Sequence, residues 1–134
     1  MTETHEALVG RLYNAFNQRD ADAITALCLP RMEFFAVTAE EAGRVNPYVG
    51  PDGLREYLDD VARIWEELLI TASWVESRGE RLVVVGRVYV RSRDLGIRDM
   101  PVAWIWTVAE GSFIRGEVFA NPEQAVSSFL QATA

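Results

Sequence analysis

The spacing of apolar residues predicts how the first third of the chain folds. Apolar side chains recur at helical intervals in a first helix that Thr2 or Thr4 caps and that runs to about Gln18. A second short helix is predicted over Ala21–Leu29. Pro30 ends that helix, because proline cannot continue it. Met32–Thr38 alternates as a strand does, and the polar segment Ala39–Asn46 is predicted to be a loop.

The middle of the chain combines the longest helix with the first two strands of a meander. An apolar stripe with a charged opposite face predicts a helix from Pro51 to Leu68. The period then changes to that of strands over Ile70–Ser77 and Arg81–Arg93. Gly86, in the middle of the second strand, predicts a bend or a bulge there.

The stretch Met100–Asn121 predicts a long hairpin that turns at Ala109-Glu110-Gly111. Both faces of its first strand are apolar, which is typical of a strand covered on both sides. Small residues such as Gly116 on the partner strand leave room for a cavity beside Trp104 and Trp106, or simply pack against their rings. A short helix follows the hairpin.

This element order predicts an α+β fold: a curved antiparallel sheet wrapped around a long helix, with two N-terminal helices and a short C-terminal helix. Such a sheet closes into a cone with an interior pocket. The length of 134 residues fits one domain over 1–134, and we expect residues 1–4 and 131–134 to fray.

Composition narrows the classes of partner. A net charge of −7 and a pI of about 4.7 disfavour nucleic acid and membrane surfaces. The single cysteine, Cys28, fits a cytoplasmic protein, and we expect it to be a small buried apolar residue rather than a nucleophile. With His5 as the only histidine, the sequence predicts neither a metal site nor a cofactor.

Three segments resemble the SnoaL-like branch of the nuclear-transport-factor-2-like superfamily. They are LYNAFNQRDADAITAL, YVGPDGLREYL and VAWIWTVAEGSFIRGEVFANPEQAV, which follow one another in the order that the family has. The resemblance implies the cone-shaped fold. It leaves activity open, because the superfamily contains isomerases, dehydratases, cyclases, epoxide hydrolases, and binding or scaffolding proteins.

The resemblance also allows a comparison with ketosteroid isomerases. Their general-base aspartate matches Ala36, their oxyanion-hole aspartate matches Trp104, and their tyrosine on the first helix matches Leu12, one residue from Tyr13. None of these roles is filled, so proton transfer by that machinery is not expected.

Limonene-epoxide hydrolases activate water with an Asp-Arg-Asp set, a tyrosine and an asparagine. The arginine matches Arg87, but the two aspartates match Tyr89 and Val118, and the other two residues match Phe34 and Ala36. An epoxide hydrolase of that type is therefore not expected.

A shift of one residue in strand register would turn Glu33 or Glu117 inward. With either glutamate as base, and with Arg87 and Tyr89 polarising an oxygen, the chain would be an isomerase, cyclase or hydratase for a carbonyl-containing polyketide, steroid or terpenoid-like substrate. We therefore leave open whether the protein is an enzyme, and Glu33, Glu117, Arg87 and Tyr89 are its candidate catalytic residues.

The function that we expect is binding of a small apolar or polycyclic molecule inside the cone. A protein-interaction module with a filled interior is the remaining alternative. We expect a homodimer formed through the sheet, with apolar surface from Ile105, Phe113, Phe119 and the face of Leu82, Val84 and Val88. The predicted ligand-binding residues are Phe34, Ala36, Tyr57, Trp65, Arg87, Tyr89, Val102, Trp104, Gly116 and Val118. For Arg87 and Tyr89, a place on the solvent-facing side of the sheet or in a dimer contact is the alternative.

Overall fold

A computed structural model describes residues 4–36 and 47–133. Within these residues the helices are α1 (His5–Gln18), α2 (Ala21–Ala26), α3 (Gly50–Ile64) and α4 (Pro122–Ala132). The strands are β1 (Cys28–Phe35), β2 (Tyr48–Val49), β3 (Glu67–Arg78), β4 (Arg81–Ser92), β5 (Gly96–Ala109) and β6 (Ser112–Phe119). The predicted loop Ala39–Asn46 lies outside the described residues, as do residues 37 and 38.

The strands form one curved sheet in the order β2-β1-β6-β5-β4-β3. The α+β class and the predicted meander are confirmed, and the hairpin turns at Glu110 and Gly111, both with positive φ. The sheet is mixed rather than wholly antiparallel, because β1 pairs with β6 in parallel.

Two predicted helix ends are wrong, for the same physical reason. α2 ends at Ala26 rather than Leu29, because Cys28 already pairs with Phe113 of β6. α3 ends at Ile64 rather than Leu68, because Trp65 is extended and Glu67 begins the pairing of β3 with β4. In both places strand pairing with a distant segment overrides the local helical pattern.

The sheet has an inner face, which packs against α1 and α3, and an outer face. On β4 the inner residues have even numbers and the outer residues have odd numbers, and pairing runs without interruption from Arg81 to Ser92. Leu82, Val84, Val88 and Val90 therefore belong to the main core with both helices. We call the space between the inner face and these helices the cone interior.

The irregularity that Gly86 predicts lies in its partner strand. Pairing of β3 with β4 shifts between Ala72 and Trp74, so Ser73 is an extra residue opposite a regular β4. A side chain at Gly86 would collide with the backbone oxygen of Thr71. The glycine is thus needed for the close approach of the two backbones at the bulge.

The last helix covers part of the outer face. Asn121 caps α4 by accepting a hydrogen bond from the backbone N–H of Gln124, and Phe129 is fully buried against Val83 and Ile105. In the described part of the chain, no helix is both long and apolar enough to cross a membrane.

Candidate functional site

The cone interior contains a small cavity between the sheet and the helices. Its volume is about 20 Å³, close to the space that one water molecule needs. A drug-sized ligand site has roughly 300–1,000 Å³, so the interior is nearly filled by its own side chains. The cavity is lined by Phe16, Phe34, Tyr57, Leu68, Ile70, Val88, Trp104, Trp106 and Val118.

Aromatic rings form most of the cavity wall. The rings of Phe34 and Trp106 are parallel, with centroids 5.8 Å apart, and Tyr57 meets Phe34 edge-on at 5.0 Å. Phe16 also meets Tyr57 edge-on, at 5.9 Å. These are the offset and edge-to-face arrangements that aromatic quadrupoles prefer. The wall therefore presents flat apolar surfaces to anything that enters.

Tyr13 supports this wall from α1. Its ring centroid lies 4.9 Å from that of Trp104, and its hydroxyl accepts a 3.0 Å hydrogen bond from Trp106 Nε1. Burial raises the pKa of Tyr13 well above its ordinary value, and the bond from Trp106 lowers it by less. Tyr13 is therefore neutral at physiological pH and fixes the orientation of the Trp106 indole.

The structure brings four of the ten predicted ligand-binding residues to the cavity: Phe34, Tyr57, Trp104 and Val118. Four more are buried on the inner side of the sheet without lining the cavity. Ala36, Trp65 and Val102 belong to the main core, and Gly116 lies against the ring of Trp106.

The remaining two, Arg87 and Tyr89, lie on the outer face, so their predicted convergence on the interior pocket is wrong. Trp104 pairs with Val84, whereas Arg87 pairs with Pro101. Paired residues on adjacent strands point to the same side, so Trp104 shares the inner face with the even-numbered residues of β4. The odd-numbered residues of β4, Arg87 among them, point to the outer face. Arg87 is half-exposed and forms a 2.8 Å ion pair with Asp99.

Glu33 and Glu117 are also outside the cavity. Both pair with Arg115, at 3.7 Å and 2.9 Å respectively, and all three side chains are at least one-third exposed. The guanidinium of Arg115 also lies 4.5 Å from the ring centre of Phe35. The predicted alternative with an inward carboxylate therefore has the wrong geometry.

The buried carboxylate of the described chain stabilises the fold away from the cavity. Tyr48 donates a 2.8 Å hydrogen bond to Asp60, which also pairs with Arg63. This contact joins β2 to α3, and neither Tyr48 nor Asp60 lines the cavity.

Cys28 is partly buried, but it lies on β1 and not on the predicted face of α2. Burial raises the pKa of its thiol to about 12. Cys28 is thus a neutral thiol at physiological pH, which does not favour nucleophilic chemistry. His5, the only histidine of the chain, bonds Ser77 at 3.0 Å.

Sequence reasoning missed five lining residues. Two could have been found: Phe16 is on the apolar face of α1, and Trp106 has the parity of Trp104. The others are Leu68, Ile70 and Val88, which follow only from the observed pairing of β3 and β4.

Solved structures with the same fold are similar to this chain over nearly its whole length. An NTF2-like protein of unknown function from Burkholderia pseudomallei K96243 is 19% identical, with a TM-score of 0.78 over 91% of this chain and 94% of its own. TerC, co-crystallised with polyporic acid, is 20% identical, with a TM-score of 0.78 over 94% and 97%. A candidate polyketide cyclase from Xanthomonas campestris pv. campestris is 16% identical, with a TM-score of 0.73 over 91% and 93%.

No curated protein matches the sequence. The SnoaL-like domain family does match it, over residues 9–116, which is most of the chain. The match begins within α1 and ends at Gly116 of β6, so it includes every cavity-lining residue except Val118. The chain belongs to the SnoaL-like domain family.

Proposed function

We propose that the protein binds a small, flat, largely apolar molecule in the cone interior. The observation that carries this proposal is the convergence of five aromatic residues on the cavity: Phe16, Phe34, Tyr57, Trp104 and Trp106. Stacked and edge-on rings of this kind suit a planar ligand. The co-crystallisation of TerC with polyporic acid supports the proposal by analogy of fold.

Binding requires the cone to open, because about 20 Å³ does not hold such a ligand. The wall can yield beside Ile70, which is on the edge strand β3 and is partly exposed. Asn17 of α1 fastens this point with two hydrogen bonds, from its Nδ2 to the Ile70 oxygen at 2.9 Å and from the Ile70 N–H to its Oδ1 at 2.8 Å. Release of these bonds would let β3 move away from α1.

The lining favours binding without acid–base chemistry. Among the described residues, the cavity wall contains no carboxylate, histidine, cysteine or cationic side chain. The Trp106 indole already donates to Tyr13, and phenol and indole groups such as those of Tyr57 and Trp104 do not move protons readily at neutral pH. We therefore prefer a binding protein to the isomerase, cyclase or hydratase alternative.

A titration with 2-acetylnaphthalene, a flat neutral carbonyl compound, tests the proposal. Tryptophan fluorescence should report saturable binding to the wild type. Val118→Phe places a ring beside the cavity and should weaken binding at least tenfold, whereas Val126→Phe on α4 should leave it unchanged. Equal affinities for both variants, with both folded by circular dichroism, would contradict a site in the cone interior.

We also propose a homodimer through the part of the outer face that α4 leaves uncovered. The expected surface is different from the one that the sequence suggested. Leu82, Val84, Val88 and Phe113 are buried in the main core, and Ile105 and Phe119 pack with α4. The exposed apolar side chains of this face are Leu69, Trp74 and Ile97, with exposures of 40%, 43% and 65%.

Sedimentation velocity at micromolar concentration tests the dimer. The wild type should sediment as a dimer and Trp74→Arg as a monomer, because a charge is costly to bury in an interface. Leu95→Arg, an equally exposed residue in the β4–β5 turn, is the matched control and should remain dimeric. A monomeric wild type would contradict the proposal.

A further inference from the structure

A cation lies on the inner face close to the cavity. Leu68, Val90 and Arg98 form one inner row across β3, β4 and β5, and Leu68 lines the cavity. Val88, another lining residue, pairs with Met100, so Arg98 is its diagonal neighbour. Diagonal neighbours on adjacent strands are about 7–8 Å apart, a distance that an arginine side chain spans easily.

A buried donor without an acceptor lies beside this cation. The guanidinium carbon of Arg98 is 5.6 Å from the centre of the Trp65 ring. Trp65 is almost completely buried, and its indole N–H has no hydrogen-bond partner among residues 4–36 and 47–133. An unsatisfied buried donor is costly, so a ligand that brings an acceptor to this N–H would be stabilised there.

The two acidic residues that follow Trp65 have cationic partners, although the whole protein has a net charge of −7. Glu66 and Glu67 are each already engaged by arginines. Arg91 pairs with Glu66 at 2.9 Å and with Glu67 at 3.7 Å, and Arg93 pairs with Glu66 at 3.0 Å. The charges of Glu66 and Glu67 are therefore compensated, and these two carboxylates do not repel an anion that approaches Trp65.

We propose that Trp65 and Arg98 bind the carboxylate of an apolar acid whose hydrocarbon part enters the cone interior. The inference rests on the proposed function and names the ligand class. The indole N–H donates to one carboxylate oxygen, and the guanidinium supplies charge and further donors. An aromatic carboxylate would stack its ring against the aromatic wall of the cavity and accept a hydrogen bond from the Trp65 indole N–H.

The test compares 2-naphthoate with methyl 2-naphthoate, which has the same ring system without the charge. The wild type should bind the acid at least tenfold more tightly than the ester. Trp65→Phe and Arg98→Gln should each reduce this acid-to-ester ratio roughly tenfold while leaving ester binding nearly unchanged. Arg98→Lys keeps the charge and should retain part of the preference.

Matched controls lie on the outer face. Trp74→Phe and Arg87→Gln make the same chemical changes away from the cavity and should leave the ratio unchanged. The acid-to-ester ratio also distinguishes loss of carboxylate recognition from damage to the fold, because damage to the fold would weaken binding of the acid and the ester together.

Two results would overturn the inference. Equal binding of acid and ester by the wild type, or a ratio that Trp65→Phe and Arg98→Gln do not change, would remove the carboxylate site and leave binding in the cone intact. Failure of both compounds and of 2-acetylnaphthalene to bind would overturn the proposed function and this inference together.

Discussion

Gly116 shows how a single residue shapes the cone interior. It lies opposite Trp106 on the inner face, and a methyl group there would collide with the indole ring. The indole in turn stacks on Phe34 and donates to Tyr13, so it has little freedom to move aside. The absence of a side chain at Gly116 is thus what admits the large ring.

Gly116→Ala should destabilise the protein by about 1–3 kcal/mol, because it overpacks a filled interior. Gly10→Ala on the exposed side of α1 meets no atom within 4 Å and should stabilise by roughly 0.5–1 kcal/mol. Urea unfolding followed by tryptophan fluorescence measures both. Equal stabilities of Gly116→Ala and the wild type would show that Trp106 can move.

Cys28 should make stability fall at alkaline pH. Its thiol has an ordinary pKa of 9.0 and a folded-state pKa of about 12, so the unfolded chain loses the proton first. The stability is fully present below pH 9.0 and is lost as the pH rises towards 12, on the order of 1 kcal/mol per pH unit. Tyr13, whose pKa is also raised, acts in the same direction.

Urea unfolding at pH 8 and at pH 10.5 checks this for the wild type and Cys28→Ala. The wild type should lose more stability between the two pH values than the variant does. Parallel losses would mean that the thiol ionises as readily in the folded chain as in the unfolded one.

At the residue scale, the sequence predicted alternation along β4 correctly but not which side faces inward. Both sides of β4 contain valines, so apolar content did not distinguish them. The pairing of Val84 with Trp104 decides the matter, and it places Arg87 outside. A pairing between distant segments cannot be read from the alternation of one strand.

At the scale of elements, the contact between α1 and β3 holds the cone closed. Asn17 occupies both polar groups of the Ile70 backbone, which an edge strand otherwise leaves without a neighbouring strand. The same strand contributes Ile70 to the cavity wall and contains the bulge at Ser73. Ile70 therefore both lines the cavity and bonds to α1.

Asn17→Ala should lower the free energy of unfolding by about 1–3 kcal/mol, because two hydrogen bonds to the backbone are lost. It should also speed the association of 2-acetylnaphthalene, measured by stopped-flow fluorescence, since β3 is then free to move. Asn14→Ala, an exposed change on the same helix, is the control and should do neither. An unchanged association rate in Asn17→Ala would show that entry does not pass this contact.

Element types and their order were predictable, because the hydrophobic period changes clearly from helix to strand. The ends of α2 and α3 were not. Cys28 and Glu67 leave the helical pattern in order to pair with Phe113 and Arg91, and those partners are distant in sequence. The backbone hydrogen bonds of each added strand residue outweigh the local preference for helix, and they set where the helix ends.

At the scale of the whole molecule, the fold encloses a small cavity with an apolar and aromatic wall. Trp104 and Val118, which the resemblance aligns with catalytic acids, belong to this wall. The volume of that interior could not be predicted, because it depends on how rings such as Phe34 and Trp106 stack rather than on their number.

The central claim, a ligand in the cone interior, is tested most directly by the four indole N–H signals in a ¹H–¹⁵N NMR spectrum. On titration with 2-acetylnaphthalene, the signals of Trp104 and Trp106 should shift together and saturate, whereas that of Trp74 on the outer face should not move. Shifts confined to Trp74, or no shift in any of the four, would contradict the claim.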